Sequence, residues 1–303
     1  MSKIILPKVS IIFSNLNGGK EPLECLFSVG KLNYPKNKIE TIVIDNGSVD
    51  GSPDKIAKKF PKVKLIRLKS AIGLPPSLNL GIKKSQGKYI FIGNDDIVLE
   101  KNSILGMVDY LEKNKEVGVV GGKVFYKDKP KKLTDSASGF NFYLGDIKKP
   151  KSQSEILWLQ SCSIMIPKSV FDKIGLFDEG FYPLYFDDFD FCLRVKKANL
   201  KLAHLPDAIF WHGWGKTTEK SGRYNMYCWW YRNKIRFMLK NASPVQIISF
   251  LTFQIVATVV RSLTERQNIL YPLFRAIVEN ILILPQTIKA RTNSANYNGK
   301  KQN

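Results

Sequence analysis

Short apolar runs separated by helical stretches fill the first 130 or so residues of this chain. Residues 9–14 (VSIIFS) form one such run, and the Gly18-Gly19 turn separates it from a helical pattern over residues 21–29. A β-branched run at 39–44 ends on Asp45, and runs at 63–68 and 89–92 repeat the theme. A helix is expected between those two, over residues 77–85, and a further strand at 117–120. Apolar strands that alternate with helices predict a largely parallel sheet with helices on both faces. No internal repeat interrupts the pattern.

Beyond residue 130 the pattern loosens. Residues 127–132 read as a basic, Pro-containing loop, and 135–151 as an excursion rich in Gly, Ser and Lys. A denser block runs from 157 to 214, and the chain from about 221 onward reads as helical. Residues 241–260 carry no charge but include Ser243, Gln246, Ser249, Thr252, Gln254 and Thr258. A membrane span needs about 20 mostly apolar residues, so this stretch is a marginal one. Leu270, Phe274, Ile277, Ile281 and Leu284 recur at helical spacing, with Arg275, Glu279 and Asn280 on other faces. The expected organisation is a domain over residues 1–220, with halves at 1–125 and 126–220, and an amphipathic helical extension with a basic tail over 221–303.

Charge changes this picture more than size does. The 303 residues are 44% hydrophobic and 12% aromatic, which fits a packed core. Lys+Arg 47 against Asp+Glu 26 leaves +21, an excess that seeks nucleic acid, an anionic membrane surface or phosphorylated substrates. The cations are spread along the chain and concentrate beside the apolar helices, without a recognisable nucleic-acid motif, so nucleic acid is not the expected partner. From Met226 onward, eleven Lys/Arg face two acids. Apolar helix faces flanked by cations suit an interfacial helix on anionic lipid; the alternative is a helical hairpin packed on its own domain or on a second subunit. Cys25, Cys162, Cys192 and Cys228 form no CxxC pair, which favours a reducing compartment over a zinc or disulfide framework. The opening MSKIILPKVSIIF lacks a signal-peptide pattern, so secretion is not expected.

In a parallel α/β sheet, ligands gather beyond the carboxyl ends of the strands. Two polar clusters fall there. DNGSVDGS, residues 45–52, follows IETIVI; Asp45 can accept hydrogen bonds from a nucleobase or ribose, or the cluster can be an Asx turn that caps a helix. Asn94-Asp95-Asp96 follows KYIFIG. Neighbouring carboxylates at a strand end suit Mg2+ or Mn2+ bound jointly with substrate phosphates, although acidic loops also cap helices. No GxxxxGK[ST] and no GxGxxG after the first strand support P-loop or nicotinamide chemistry. The third cluster, FDDFDFCLR at 186–194, sets Asp187, Asp188 and Asp190 among aromatics. A helix N-terminus accounts for one aspartate. Three crowded in an apolar setting should have raised proton affinity, as suits a general base. His212 follows in WHGWG, between Trp211 and Trp214, and is either structural or a metal ligand.

Taken in this order, the motifs resemble the family 2 glycosyltransferases of GT-A fold, especially their rhamnosyltransferase-like branch, over about residues 7 to 240. VSIIFSNLNG resembles that branch's VxIVNYNG strand, with Leu16 in place of the usual Tyr. VIDNGSVDGS is similar to the nucleotide-binding VDNxSxDGS. IGLPPSLNLGIKKSQGKYIFIGNDD resembles NxGFAxGxNxGxxxAxGxYxxxLNxD, with Ala71 replacing Asn and Pro75-Pro76 replacing small residues. The block from LWLQSCS to FDDFDFCLRVKKA is similar to an acceptor-side block ending in EDxDLCxR.

The resemblance implies a Rossmann-like, mostly parallel GT-A sheet, with a nucleotide-sugar half at 1–125 and an acceptor half at 126–220. It implies an inverting, metal-dependent hexosyltransferase-type enzyme of cell-surface polysaccharide or glycoconjugate synthesis. Asn94 and Asp96 take the places of the family's DxD, so Asp96 is the implied metal ligand, with His212 reaching the same Mg2+ or Mn2+. Asp188 takes the place of the base, with Asp187 substituting for Glu. Asn15, Asn17, Asp45, Asn46, Asn94 and Asp95 border the nucleotide sugar, and Asp187, Asp190, Trp211 and Trp214 support the site or the acceptor. The implied donor is a UDP-, dTDP- or GDP-sugar and the acceptor a glycan, lipid-linked if the extension meets a membrane. The implied location is cytoplasmic, peripheral or monotopic on the inner face of the cell membrane, with a homo-oligomer through the C-terminal helices as an alternative use of those helices. A polyprenyl-phosphate sugar synthase, a non-catalytic nucleotide-sugar scaffold and a basic nucleic-acid-binding protein are the competing readings.

Overall fold

The computed structural model describes residues 6–134, 136–213, 216–264 and 269–295, with backbone alone at 216–221 and 294–295. An eight-stranded sheet forms the centre. Its first strands are β1 (Val9–Asn15), β2 (Ile39–Asp45), β3 (Lys64–Arg67) and β4 (Tyr89–Asn94), all parallel. They alternate with α1 (Glu21–Gly30), α2 (Ser52–Lys59) and α3 (Leu74–Lys84). Next come β5 (Ile97–Leu99), α4 (Ser103–Lys113) and β6 (Val117–Tyr126). An excursion of β7 (Ala137–Asn141), β8 (Asp146–Lys148) and β9 (Trp158–Leu159) makes a separate three-stranded sheet. The chain returns through β10 (Ser163–Pro167), α5 (Lys168–Ile174), α6 (Asp187–Lys197) and β11 (Lys201–His212). Spatial order is β3-β2-β1-β4-β10-β6-β11-β5.

Successive side chains on a strand point to opposite faces, and here both faces are buried. Val9, Ile11 and Phe13 join Leu26, Ile104 and Met107 on one side. Ile12, Ile42, Ile44, Ile90 and Ile92 join Leu78, Ile174 and Phe191 on the other. That double burial is why the runs are apolar without alternation. The sheet is less parallel than expected. β10 runs antiparallel to both β4 and β6, and β5 antiparallel to β11. The excursion stays at the end of the sheet where β6 leaves it, so the returning β10 must run back the other way. β5, β8 and β9 are too short to give a periodic signal in sequence.

The C-terminal helices are α7 (Lys216–Asn241), α8 (Pro244–Thr264), α9 (Leu270–Leu282) and α10 (Leu284–Ala295). α7 bends at Gly222, whose φ of 78° is left-handed. A third apolar cluster joins Phe140, Trp158, Phe186 and Phe189 to Phe237, Met238, Phe250 and Leu273. The helices therefore pack directly onto α6 and the β7–β9 sheet. Of the two readings of the tail, packing on the domain itself holds for this part of α7, where three cations turn inward and do not line an outer surface. Lys234, Arg236 and Lys240 are buried, and their polar ends meet partners within the fold.

Candidate active site

The register of the parallel strands levels their polar ends. Asn15 lies beside Asp45, and Ser14 beside Asn94. Fully buried Asn15 aims its amide at Asp45 Oδ1 (2.9 Å), Ser48 Oγ (3.0 Å) and Ser52 Oγ (3.0 Å). The Asn17 side chain accepts from the Val49 amide at 2.8 Å, while its backbone N–H donates to Ser48 Oγ. Asn46 accepts from the Ile72 N–H (2.8 Å) and donates to the Gly73 carbonyl (3.2 Å). Gly47, at φ +84°, passes the Ser70 backbone so closely that a Cβ would stand 2.7 Å from a carbonyl carbon. The structure thus brings Asn15, Asn17, Asp45 and Asn46 to one strand end, where the amides also shape the loops around it. Asp50 accepts from the amides of Ser52 and Gly19; burial works to raise its carboxyl, but the Ser52 hydroxyl and these amides hold it below its ordinary value.

One strand over, three donor groups converge. Buried His212 places Nε2 2.9 Å from Asn94 Nδ2 and 3.0 Å from Asp96 Oδ1. Pairing of His212 with Ile97 across β11 and β5 sets that meeting. Two glycines make room: a Cβ on Gly213 would stand 2.7 Å from Asp96 Oδ2, and one on Gly18 2.5 Å from Asp95 Oδ2. Asp95 therefore turns toward the Asn15 loop and Asp96 toward His212. The Asp96 carboxylate suits Mg2+ or Mn2+, whereas an imidazole is the more usual ligand of softer divalent ions. No group of three His, Cys, Asp or Glu side chains is arranged to hold a metal among the described residues. A cation at Asp96 and His212 fits only as a shared one, its shell completed by substrate phosphate, as is usual for Mg2+. Trp211 lies against Phe125, ring centres 6.4 Å apart; strand alternation puts it on the opposite face of β11 from His212. Trp214 lies outside the described residues.

The third cluster opens α6, and its three aspartates have three different environments. Asp190 is fully buried between Arg194 Nε (2.9 Å) and Lys240 Nζ (2.8 Å). Burial would raise its carboxyl, yet these two cations hold it well below the ordinary range. The expectation that crowding raises proton affinity fails for this residue, because its neighbours in space are cations. Asp187 is also buried, and its Oδ2 has no hydrogen-bond partner. Burial, then the charge of Asp188, push its carboxyl well up. Asp188 is half-buried and accepts from the amides of Ser161 (3.3 Å) and Phe189 (2.9 Å). Burial raises its carboxyl, and those amides oppose the rise in part; the nearby Trp158 indole N–H works in the same direction without a hydrogen bond of ordinary geometry. The upward push is therefore stronger on Asp187, which lacks the amide contacts that Asp188 has.

The turn at 160–162 links the two ends. β10 begins beside Gly93, just before Asn94, and the Ser161 amide just ahead of it reaches Asp188. Burial raises the Cys162 thiol, and the charges of Asp96 and Asp188 both add to the rise, so both lie within electrostatic reach of this turn. The motifs did not identify Ser161, Cys162 or Lys240. Only the spacing of Arg232, Arg236 and Lys240 on one helix face could have flagged the last.

The sequence model of glycosyl transferase family 2 matches residues 10–175. An uncharacterized glycosyltransferase of Haemophilus influenzae is 26% identical over 266 residues, 80% of each chain. The N-acetylglucosaminyl-diphospho-decaprenol L-rhamnosyltransferase of Mycobacterium tuberculosis is 22% identical over 57% of this chain and 66% of its own. An uncharacterized protein of Sinorhizobium fredii is 25% identical over 243 residues, and there the chain spans only 26% of its relative's length. Among solved structures, S. aureus TarS in complex with UDP-GlcNAc aligns with a TM-score of 0.61 at 15% identity, over 96% of this chain and 89% of that one. The mannosyltransferase PcManGT from Pyrobaculum calidifontis, in complex with GDP-Man and Mn2+, aligns at 0.59 and 14% identity, over 99% of this chain and 89% of that one. The motif order, the strand-end geometry and these similarities agree: the chain belongs to glycosyl transferase family 2 and has the GT-A fold.

Proposed function

We propose that this transferase inverts the sugar it moves, taking it from a nucleotide-diphosphate donor to a hydroxyl of a lipid-linked glycan at the cytoplasmic membrane face. One observation carries the reading: Asp96 and Asp188 are far apart in sequence yet lie near the same turn at 160–162, where Asp188 accepts from the Ser161 amide and both charges act on the Cys162 thiol. The strand ends at Asn15, Asp45 and Asp96 form the donor side. Asp188, whose carboxylate accepts from the Ser161 and Phe189 amides, takes the proton from the acceptor hydroxyl, which attacks the anomeric carbon from the face opposite the nucleotide. A single displacement of this kind inverts the centre. When bound at Asp96 and His212, Mg2+ or Mn2+ neutralises charge on the departing diphosphate. The UDP-GlcNAc of the TarS complex and the GDP-Man and Mn2+ of the PcManGT complex support a nucleotide-sugar donor and a divalent ion.

The lipid side rests on the outer helices. α8 is long and apolar enough to cross a bilayer, with mean hydropathy 1.6. Its buried stripe of Phe250, Gln254 and Thr258 is bound to α7, however, where Lys234 donates to Gln254 at 2.9 Å. Burial lowers the Lys234 ammonium to about 8. A spanning α8 would draw this cation-rich neighbour into the hydrocarbon, which is costly. We therefore read α8 as lying in the interface, presenting Ile248, Val256, Val260 and Leu263 beside Phe274 and Ile281 of α9, all exposed. The name of the mycobacterial relative, an N-acetylglucosaminyl-diphospho-decaprenol L-rhamnosyltransferase, supports a lipid-linked acceptor. The test is a donor-hydrolysis screen across UDP-, dTDP- and GDP-sugars with Mn2+. Turnover of one nucleotide class, abolished by chelator and restored by Mn2+ or Mg2+, is expected. Full activity in chelator would remove Asp96 and His212 from their role.

A further inference from the structure

The segment that delivers Asp188 is held from outside the matched family region, by one face of α7. Tyr185 and Phe186 both have left-handed backbones, with φ of 79° and 65°, immediately before Asp187 and Asp188. Such a conformation in consecutive bulky residues persists only where surroundings impose it. Asn233, with no solvent exposure, supplies them: Nδ2 donates to Leu184 O (2.8 Å) and Phe181 O (3.0 Å), with Tyr182 O and Tyr185 O each at 3.3 Å. Its Oδ1 accepts from Arg232, which also donates to Gly180 O and Tyr182 O. On the same face, Arg236 and Lys240 pair with Asp178, and Lys240 also reaches Asp190. Gly180 has no Cβ where Arg236 passes; one would stand 2.1 Å from its Nη2. The clamp thus closes on both sides of Asp188, at 178–185 and at 190, with Asn233 reaching four carbonyls of that segment and Arg232 two.

We propose that Asn233 is a positioning residue for Asp188, fixing the turn at 181–186 so that the carboxylate meets the acceptor hydroxyl. This deepens the assignment of Asp188 as base and rests on it. Misplacing a reacting group by about 1 Å costs about 100-fold in rate. The test compares Asn233→Ala, the milder Asn233→Ser and Asp188→Asn in the full chain, with turnover, donor KM and donor binding measured on each. Asn233→Ala should lower kcat about 100-fold with donor KM within about threefold of the parent, because Asn233 bonds the 181–185 carbonyls and no residue of β1, β2 or β4. Asn233→Ser, which retains one hydroxyl donor, should fall between the two. The acid limb of the Asn233→Ala rate profile should also move to lower pH, since a loosened Asp188 gains solvent and loses the burial that raises it; a purely structural role leaves that limb in place. Parental kcat in a variant that binds donor would overturn the proposal. Failure of both Asn233 variants to bind donor would assign the residue to folding alone and overturn it equally. Retained turnover in Asp188→Asn would instead remove the base assignment beneath it, whatever the Asn233 variants do.

Discussion

The two ends of the site are built in opposite ways. At the donor end, Asn15, Asp45, Asn94 and Asp96 stand at the tips of adjacent parallel strands, and each is placed by its own strand and the loop that follows. At the base end, Asp188 sits at the start of a helix whose entry is held by Asn233 and whose next turn is held by Lys240, some fifty residues further along the chain. One end is local architecture. The other depends on a helix added after the sheet is complete. If Asp188 is the base as proposed, the difference implies that donor binding and proton removal can be damaged separately, and that α7 bears on catalysis through the turn before Asp188.

That separation sets the expected effects. Asp96→Asn should lower turnover by about 10²–10³-fold, the usual cost of removing one preorganised charge-stabilising group, and raise donor KM with it. Unchanged donor KM would break the contrast at the donor end. The rate profile should fall on the acid side above the range of an ordinary aspartate, because burial raises Asp188 and the base works only when ionised. An acid limb in the ordinary range would point to a different base. Lys240→Met acts on the other end through stability: it leaves Asp190 and Asp178 short of a buried cation and should cost about 3–5 kcal/mol at neutral pH, read as a lower thermal midpoint. Both carboxyls are held below their unfolded values. Their contribution is present above the unfolded carboxylate range and lost as pH falls through the depressed values. The deficit of Lys240→Met should therefore shrink on acidification, and a constant deficit would mean that the ion pairs are not its cause. The smallest change is at the surface. Val256→Asp with Leu263→Asp, at sites 57% and 75% exposed, should alter stability by less than about 0.5 kcal/mol per site while weakening sedimentation with anionic vesicles. Unaltered vesicle binding together with a loss of self-association would assign the face to a second copy of the chain.

The strand-end cluster at Asn15, Asp45 and Asn94 was largely legible in the sequence for the same reason that it is local. Apolar runs ending on Asp45 and Asn94 put those residues at strand tips, and the parallel register did the rest. Asn46 shows the limit of such reading: it stands in the motif, yet both ends of its amide reach the loop at 72–73. The base end was not legible in detail. Three aspartates within four positions looked alike by spacing, and only Lys240, Arg194 and the Ser161 amide distinguish them. The eleven cations of the tail fit either a lipid-facing charge or a hairpin packed on the domain, and α7 turns several inward to bind carboxylates and carbonyls. A one-dimensional pattern reports which residues share a helix face, but not what that face meets.

The account rests most heavily on Asp188 removing the acceptor proton while the donor is held elsewhere. The direct measurement is paired donor binding and acceptor-dependent turnover on Asp188→Asn, which replaces the base by an amide of nearly equal shape. The account predicts donor affinity within about threefold of the parent and turnover lower by about 10³-fold or more. Turnover within about tenfold of the parent, in a variant that binds donor normally, would contradict it.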